Sequence, residues 1–277
     1  MTAAALHPDA AARRAAESAL AFWADAGVDA AYADAPVDRL AEGVERLKAK
    51  AVPAPKPLKA PAGGAAPAID ISGAVAEARA RAAEAQDLDA LAAAIAAFDG
   101  CGLKFEGARQ AVFSRGDPSA PLMIIGEGPG QEEDARGEPF VGKAGQLLDR
   151  MIAAAGLTDR VFITNTVFWR PPGNRTPSAA EQAVCAPFLE RAIQLVNPKM
   201  LLLAGGASAK SVLKRDEGIL SMRGRWFEWH GETSGLVLPA LPTLHPAFLL
   251  RQPAAKKKAW QDLLVLTERL DRPVRPD

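Results

Sequence analysis

Cysteine is nearly absent: there are two in 277 residues. Two thiols cannot build a disulfide framework, and they suit a reducing compartment. Histidine occurs only three times, which narrows the choice of a catalytic imidazole. Net charge is missing as well, since 33 lysines and arginines balance 33 aspartates and glutamates. That balance excludes a histone-like coat for nucleic acid. It leaves room for a local basic groove, because phosphate recognition needs only a few well-placed cations. No run of about 18 apolar residues is present, so no membrane span is expected. The opening stretch, MTAAALHPDA, has neither a basic n-region nor an apolar h-region, so no signal peptide is expected. Hydrophobic residues make up 49% of the chain, enough for a sizeable core. The expected class is a soluble, cytoplasmic protein.

Composition changes near residue 100. The first hundred residues hold 38 alanines and few aromatics. Residues 11–27 read as an amphipathic helix with Leu20, Phe22 and Trp23 as its large apolar side chains. A second short helix is expected over Val37–Lys50. The segment 51–68, AVPAPKPLKAPAGGAAPA, is too rich in proline and glycine to pack well and reads as a tether. Helical character returns over 71–98, with Leu88, Leu91 and Ile95 on one side. The expected division is a helical extension at 1–50, a linker at 51–70, a connecting helix at 71–97 and a main domain at 98–271.

From Cys101 onward, short apolar runs alternate with helical segments. Leu122–Ile125, Val161–Ile163, Met200–Leu203 and Leu236–Leu241 read as strands. Helices are expected over Lys143–Ala155, Ala179–Leu195, Ala207–Leu213 and Ala254–Leu270. The second of these opens with Ser178-Ala-Ala-Glu181, a capping box. Strand–helix alternation with continuous apolar strands points to an α/β fold. The expectation is three layers, α/β/α, around a mostly parallel four-stranded sheet, preceded by the alanine-rich helical extension. Functional residues then belong on loops at the carboxyl ends of the strands.

Three clusters sit immediately after expected strands. The first is Gly126-Glu-Gly-Pro-Gly130, continuing as GQEEDARGEPFVGKAGQLL to residue 148. By itself the glycine spacing marks only a tight turn or a nucleotide loop. It is not G-x-G-x-x-G, and Pro129 removes an amide that a phosphate cradle would use. The second cluster runs ITNTVFWRPPGNRTP from Ile163 to Pro177, and the third is His245-Pro-Ala-Phe-Leu-Leu-Arg251. All three should converge on one edge of the sheet.

In this order and context the clusters resemble the uracil-DNA glycosylase superfamily, most closely its type-4, iron–sulfur group. The resemblance covers about residues 98–270. It implies a DNA repair enzyme that flips uracil out of DNA and hydrolyses its N-glycosidic bond, leaving an abasic site. Bond cleavage puts negative charge on the departing base, which must be stabilised. By resemblance His245 bonds uracil O2, Asn165 reads the O4 and N3–H edge and mismatches cytosine, and Phe140 stacks on the flipped base. Glu127 and Gly128 occupy the part that handles water. Gly128 lacks the aspartate of the best-known branch, and Gly130 lacks its tyrosine, so Glu127 is expected to narrow the pocket instead. Leu249 is the expected wedge into the duplex, with Leu250 as the fallback. Phosphate contacts are expected from Ser208, Lys210, Arg170, Arg175 and Arg251; Lys256–Lys258 is a basic run that could face DNA. Two other readings remain open: an inactive relative that binds DNA or abasic sites, and a small α/β nucleotide-binding protein.

One departure from the family stands out. The four positions that carry cluster cysteines in type-4 relatives read Phe98, Cys101, Trp169 and Cys185. Two thiolates cannot hold a cubane cluster in the usual way. No cofactor is therefore expected, and no metal, with Phe98 and Trp169 filling the vacated volume. The expected partners are uracil-containing DNA and a protein that binds the N-terminal helices. No membrane partner is expected, and the chain is expected to be a monomer.

Overall fold

The computed structural model describes residues 70–271. They lie in the second of two units into which the chain divides, Met1–Ala66 and Pro67–Asp277. The expected helices at 11–27 and 37–50, with Leu20, Phe22 and Trp23, and the tether at 51–68 fall outside the described residues.

The segment expected as one connecting helix is two: α1 (Ile71–Glu84) and α2 (Leu88–Ala97). The break has a local cause. Asp87 adopts an extended conformation and its carboxylate accepts from the Ala90 amide at 2.7 Å, which starts a new helix. Arg191 then donates twice to the Ala85 carbonyl, at 3.0 and 2.7 Å. This pair is no mere connector. Ala74, Ala78 and Ala82 form a buried small-residue stripe on α1, and Leu91 and Ile95 of α2 are buried in the main core.

The strands follow as β1 (Ser114–Gly116) and β2 (Leu122–Gly126), then helices α3 (Gln131–Arg136) and α4 (Lys143–Ala154), then β3 (Val161–Asn165). Next come α5 (Ala179–Val196), β4 (Met200–Ala204), α6 (Gly206–Leu213), α7 (Ile219–Met222), β5 (Phe227–His230) and β6 (Val237–Thr243). The chain closes with α8 (Pro246–Arg251) and α9 (Lys256–Leu270). The sheet order is β1-β3-β2-β4-β6-β5. The four expected strands form the parallel centre, and antiparallel β1 and β5 extend it to six. The edge strands escape the sequence pattern because they are short and half exposed. His230 ends β5.

Every residue of β2, β3 and β4 is buried, which explains the apolar runs Leu122–Ile125, Val161–Ile163 and Met200–Leu203. Alternate residues serve opposite layers. Met123, Ile125, Phe162, Leu201 and Leu203 meet α1, α2, α5 and α6. Leu122, Ile124, Ile163 and Leu202 meet α4 and α9. From β2 the chain steps first to β3 on one side, then crosses to β4 on the other. The crevice at the carboxyl ends of such strands is where α/β sheets bind ligands.

Candidate active site

Parallel pairing in register sets Gly126 beside Asn165 at the strand ends. A Cβ on Gly126 would collide with Asn165 Oδ1 and lie 2.6 Å from the Phe140 ring. Glycine is thus required here by close approach. The Phe140 ring in turn stacks near the His245 imidazole, with centroids 5.6 Å apart and planes at 29°. The structure therefore brings Asn165, Phe140 and His245 around one small space at the end of Gly126.

Asn165 is buried, and neither its Oδ1 nor its Nδ2 has a hydrogen-bond partner among the described residues. Stranding both ends of a buried amide costs about 1–3 kcal/mol per group, so a ligand edge with one donor and one acceptor would repay the fold. No hydrogen bond fixes which way this amide points.

His245 sits at the N-cap of α8, and its Nδ1 accepts from the Ala247 amide at 3.1 Å. The one proton of the neutral ring is then on Nε2. Burial, helped by the Arg251 charge, lowers the imidazole pKa from 6.5 to about 4. At neutral pH the ring is an uncharged Nε2–H donor. Gly205, at φ 97°, leaves space for it, since a Cβ there would lie 2.9 Å from His245 Cβ.

Phe140 itself is in the left-handed region at φ 56°, which costs a non-glycine residue about 1–3 kcal/mol. Two residues without a role in the sequence reading hold it there. Arg115 donates to the carbonyls of Pro139 at 2.8 Å and Phe140 at 3.2 Å, and is itself paired to Asp149 at 2.6 Å. Glu133 accepts from the amides of Val141 at 3.0 Å and Gly142 at 2.9 Å. The same carboxylate takes the Gly130 amide at 3.1 Å. Glu133 was visible as one acid among several in a helix start; its loop partners were not.

The first loop is tied to β3 by Thr166, whose hydroxyl donates to the Glu127 carbonyl at 2.6 Å and whose amide donates to Gly126. The Glu127 side chain is half-buried and has no partner among the described residues. Gly128 faces Val167, with Pro177 and Pro171 beyond. A second missed network anchors the strand before His245. Buried Asp262 of α9 accepts from Thr243 Oγ1 at 2.7 Å and pairs with Arg223. Burial raises the Asp262 pKa despite these partners.

Several expected DNA contacts are placed elsewhere. Leu249 is fully buried with Leu147, Leu244 and Ala259, so it cannot enter a duplex without opening that cluster. Leu250, one position on, is 41% exposed. Ser208 is buried and donates to the Ile125 carbonyl at 2.7 Å, so its hydroxyl is not free for phosphate. Arg175 is bound by Glu181 at 2.8 and 2.6 Å and by Glu106 at 3.3 Å, and acts as a loop clamp. Arg170 donates to Asn174 at 2.7 Å. Lys210 lines a groove of about 1170 Å³ between α1, α5, α6 and β5, whose lining lacks Phe140, Asn165 and His245. Arg251 is exposed at the end of α8, the cation that weighs on His245.

The degenerate cluster positions do meet. Cys101 and Cys185 are buried with their sulfurs 4.0 Å apart. The neighbouring Cys101 thiol, and burial after it, push the Cys185 thiol up. Phe98 packs edge-on against Phe188 at 5.2 Å, and Trp169 against Phe168 at 6.3 Å. Only two of these four residues are thiols, so they do not fit a four-thiolate cluster.

Comparison with known proteins agrees with this geometry. The family model described as the uracil DNA glycosylase superfamily matches residues 113–264. The chain is 37% identical over 199 residues to the type-4 uracil-DNA glycosylase of Saccharolobus solfataricus, covering 69% of this chain and 90% of that one. It is 38% identical over 171 residues to the protein of that name from Sulfurisphaera tokodaii, covering 60% and 77%. The Thermotoga maritima protein of that name is 41% identical over 143 residues, covering 50% and 71%.

Proposed function

Because the chain belongs to the uracil DNA glycosylase superfamily, we infer that it removes uracil from DNA as a monofunctional N-glycosyl hydrolase in base excision repair. The observation that carries this reading is the unpartnered amide of buried Asn165 beside the Phe140 ring. Uracil offers that amide an acceptor at O4 and a donor at N3, and offers Phe140 a flat face.

The chemistry follows from the groups present. The base leaves by breaking N1–C1′, and its electron pair spreads to O2. His245 Nε2–H donates to that oxygen and stabilises the anion without transferring a full charge of its own. A cationic ring would have to give up the Ala247 bond at Nδ1. Water then adds to the sugar cation. Gly128 offers no carboxylate, so water is held by loop carbonyls and the free Glu127 side chain. A weak nucleophile suffices once the bond has largely broken. Leu250 takes the wedge role first assigned to Leu249, filling the space the flipped base leaves. Arg251 and Arg170 meet phosphates near the pocket.

The reading includes no iron–sulfur cluster, supported by the aromatic packing of Phe98 and Trp169. It also includes a monomer in a reducing compartment, where Cys101 and Cys185 stay thiols. No helix among the described residues is long and apolar enough to cross a membrane. The nucleotide-loop alternative is disfavoured. The Gly130 amide is taken by Glu133, and Glu132, Glu133 and Asp134 in the first turn of α3 would repel phosphate.

The test is alkali cleavage of oligonucleotides carrying one uracil after incubation with the protein. Wild type should generate abasic sites. His245→Ala and Asn165→Ala should each lower the single-turnover rate by about 10²–10⁴, the range for removing a positioned catalytic group. DNA binding without cleavage by the wild type would favour the inactive-relative reading.

A further inference from the structure

Beyond the pocket, α4, α8 and α9 enclose an apolar groove of about 300 Å³ lined by Leu147, Met151, Leu249, Lys256, Lys257 and Trp260. Its volume is at the small end for ligand sites. Trp260 is 37% exposed and makes no ring or cation contact among the described residues. That leaves part of its aromatic face open to a planar partner. Leu264, one turn on, continues the exposed apolar ridge.

The rim has one sign of charge. Lys256 and Lys257 open the 15-residue helix α9, and neither has an ion pair or side-chain hydrogen bond among the described residues. The lining includes no acid. Arg115, Arg175 and Arg223, by contrast, have carboxylate partners. Unpaired lysines beside a bare indole are the combination that holds a single nucleic-acid strand, cations on the phosphates and an aromatic face on a base.

Position supplies the occupant. Leu249 forms part of the groove, and it lies one helical turn, about 6 Å of rise, from His245 on α8. The geometry points to a second nucleotide subsite, in which Trp260 stacks an unpaired base of the strand flanking the lesion while Lys256 and Lys257 hold its phosphates. This deepens the uracil-excision reading and rests on its assignment of α8 to the DNA side. The groove extends the footprint past the flipped nucleotide and favours substrates with a single-stranded flank.

The experiment uses the full chain and a uracil-free single-stranded oligothymidylate of twelve nucleotides, about the footprint of such sites. Binding should quench tryptophan fluorescence. Trp260→Ala should weaken binding by about tenfold, within the range for losing one base–aromatic stack, and Trp260→Phe should restore most of it. The double change Lys256→Ala with Lys257→Ala should reduce the salt slope of log K by about 1.4, two phosphates at the single-strand value. Excision from a long single-stranded uracil substrate should fall in Trp260→Ala far more than excision from a trinucleotide. Oligothymidylate binding that ignores both Trp260→Ala and the double lysine change overturns the subsite, even with excision intact. So does a groove that prefers an acidic peptide ending in phenylalanine. A wild type that excises no uracil but binds through Trp260 supports the subsite and overturns the catalytic reading instead.

Discussion

His245 shows how one side chain can be set by its surroundings. The Ala247 amide occupies Nδ1, so the neutral ring has its proton on Nε2. Burial and Arg251 bring its pKa down to about 4. The linkage has a definite sign. An unfolded histidine takes its proton near pH 6.5, while the folded ring refuses it until about 4. Between those values the unfolded chain binds more protons, so stability falls as pH drops through this window and is intact above it. The excision rate should keep its neutral donor over the same range. Its acid limb is expected near pH 4, and Arg251→Ala, by removing a cation, should move that limb upward. A pH profile of single-turnover excision checks both; a limb at 6.5 in both proteins would mean the ring is solvated.

At the scale of elements, α8 shows where counting along a sequence fails. The residue four after the histidine was the expected wedge, yet the rotation of this short helix turns Leu249 into a cluster with Leu147 and Ala259. Leu250 is the one that faces out. The two leucines should therefore separate cleanly. Leu249→Ala should cost about 2–5 kcal/mol of stability, as buried leucines do. Leu250→Ala should leave the melting temperature within about 2 °C, since exposed substitutions change stability little. It should slow excision from duplex DNA more than from single strands, where nothing has to be unstacked. Thermal melts beside excision assays on both substrates read the difference. The split of 71–97 into α1 and α2 has the same lesson. Asp87 is a recognisable cap only once Arg191 is known to donate to the Ala85 carbonyl beside it.

The whole molecule organises these parts by burying both faces of a parallel sheet and leaving its carboxyl edge for chemistry. The region of Phe98, Cys101, Trp169 and Cys185 lies in the layer with α2 and α5, inside the larger core. The purified full chain is expected to be colourless, to contain no stoichiometric iron, and to melt at the same temperature with or without a chelator. A brown protein absorbing near ~400 nm would overturn this. Trp169→Ala should instead cost about 3–5 kcal/mol, the range for an emptied aromatic site.

The sequence alone determined the parallel strands, the helices between them, and the three loops that hold Asn165, Phe140 and His245. Those features are written in local periodicity and in residues adjacent along the chain, which pattern reading can see. Only the tertiary structure decided which leucine is exposed, that Ser208 and Arg175 are already bound, and that Arg115 and Glu133 hold Phe140 in a left-handed turn. Each of these depends on a partner brought close by folding or on the rotation of a short helix. The free energy of such contacts resides in three-dimensional distance, and separation along the chain does not encode it.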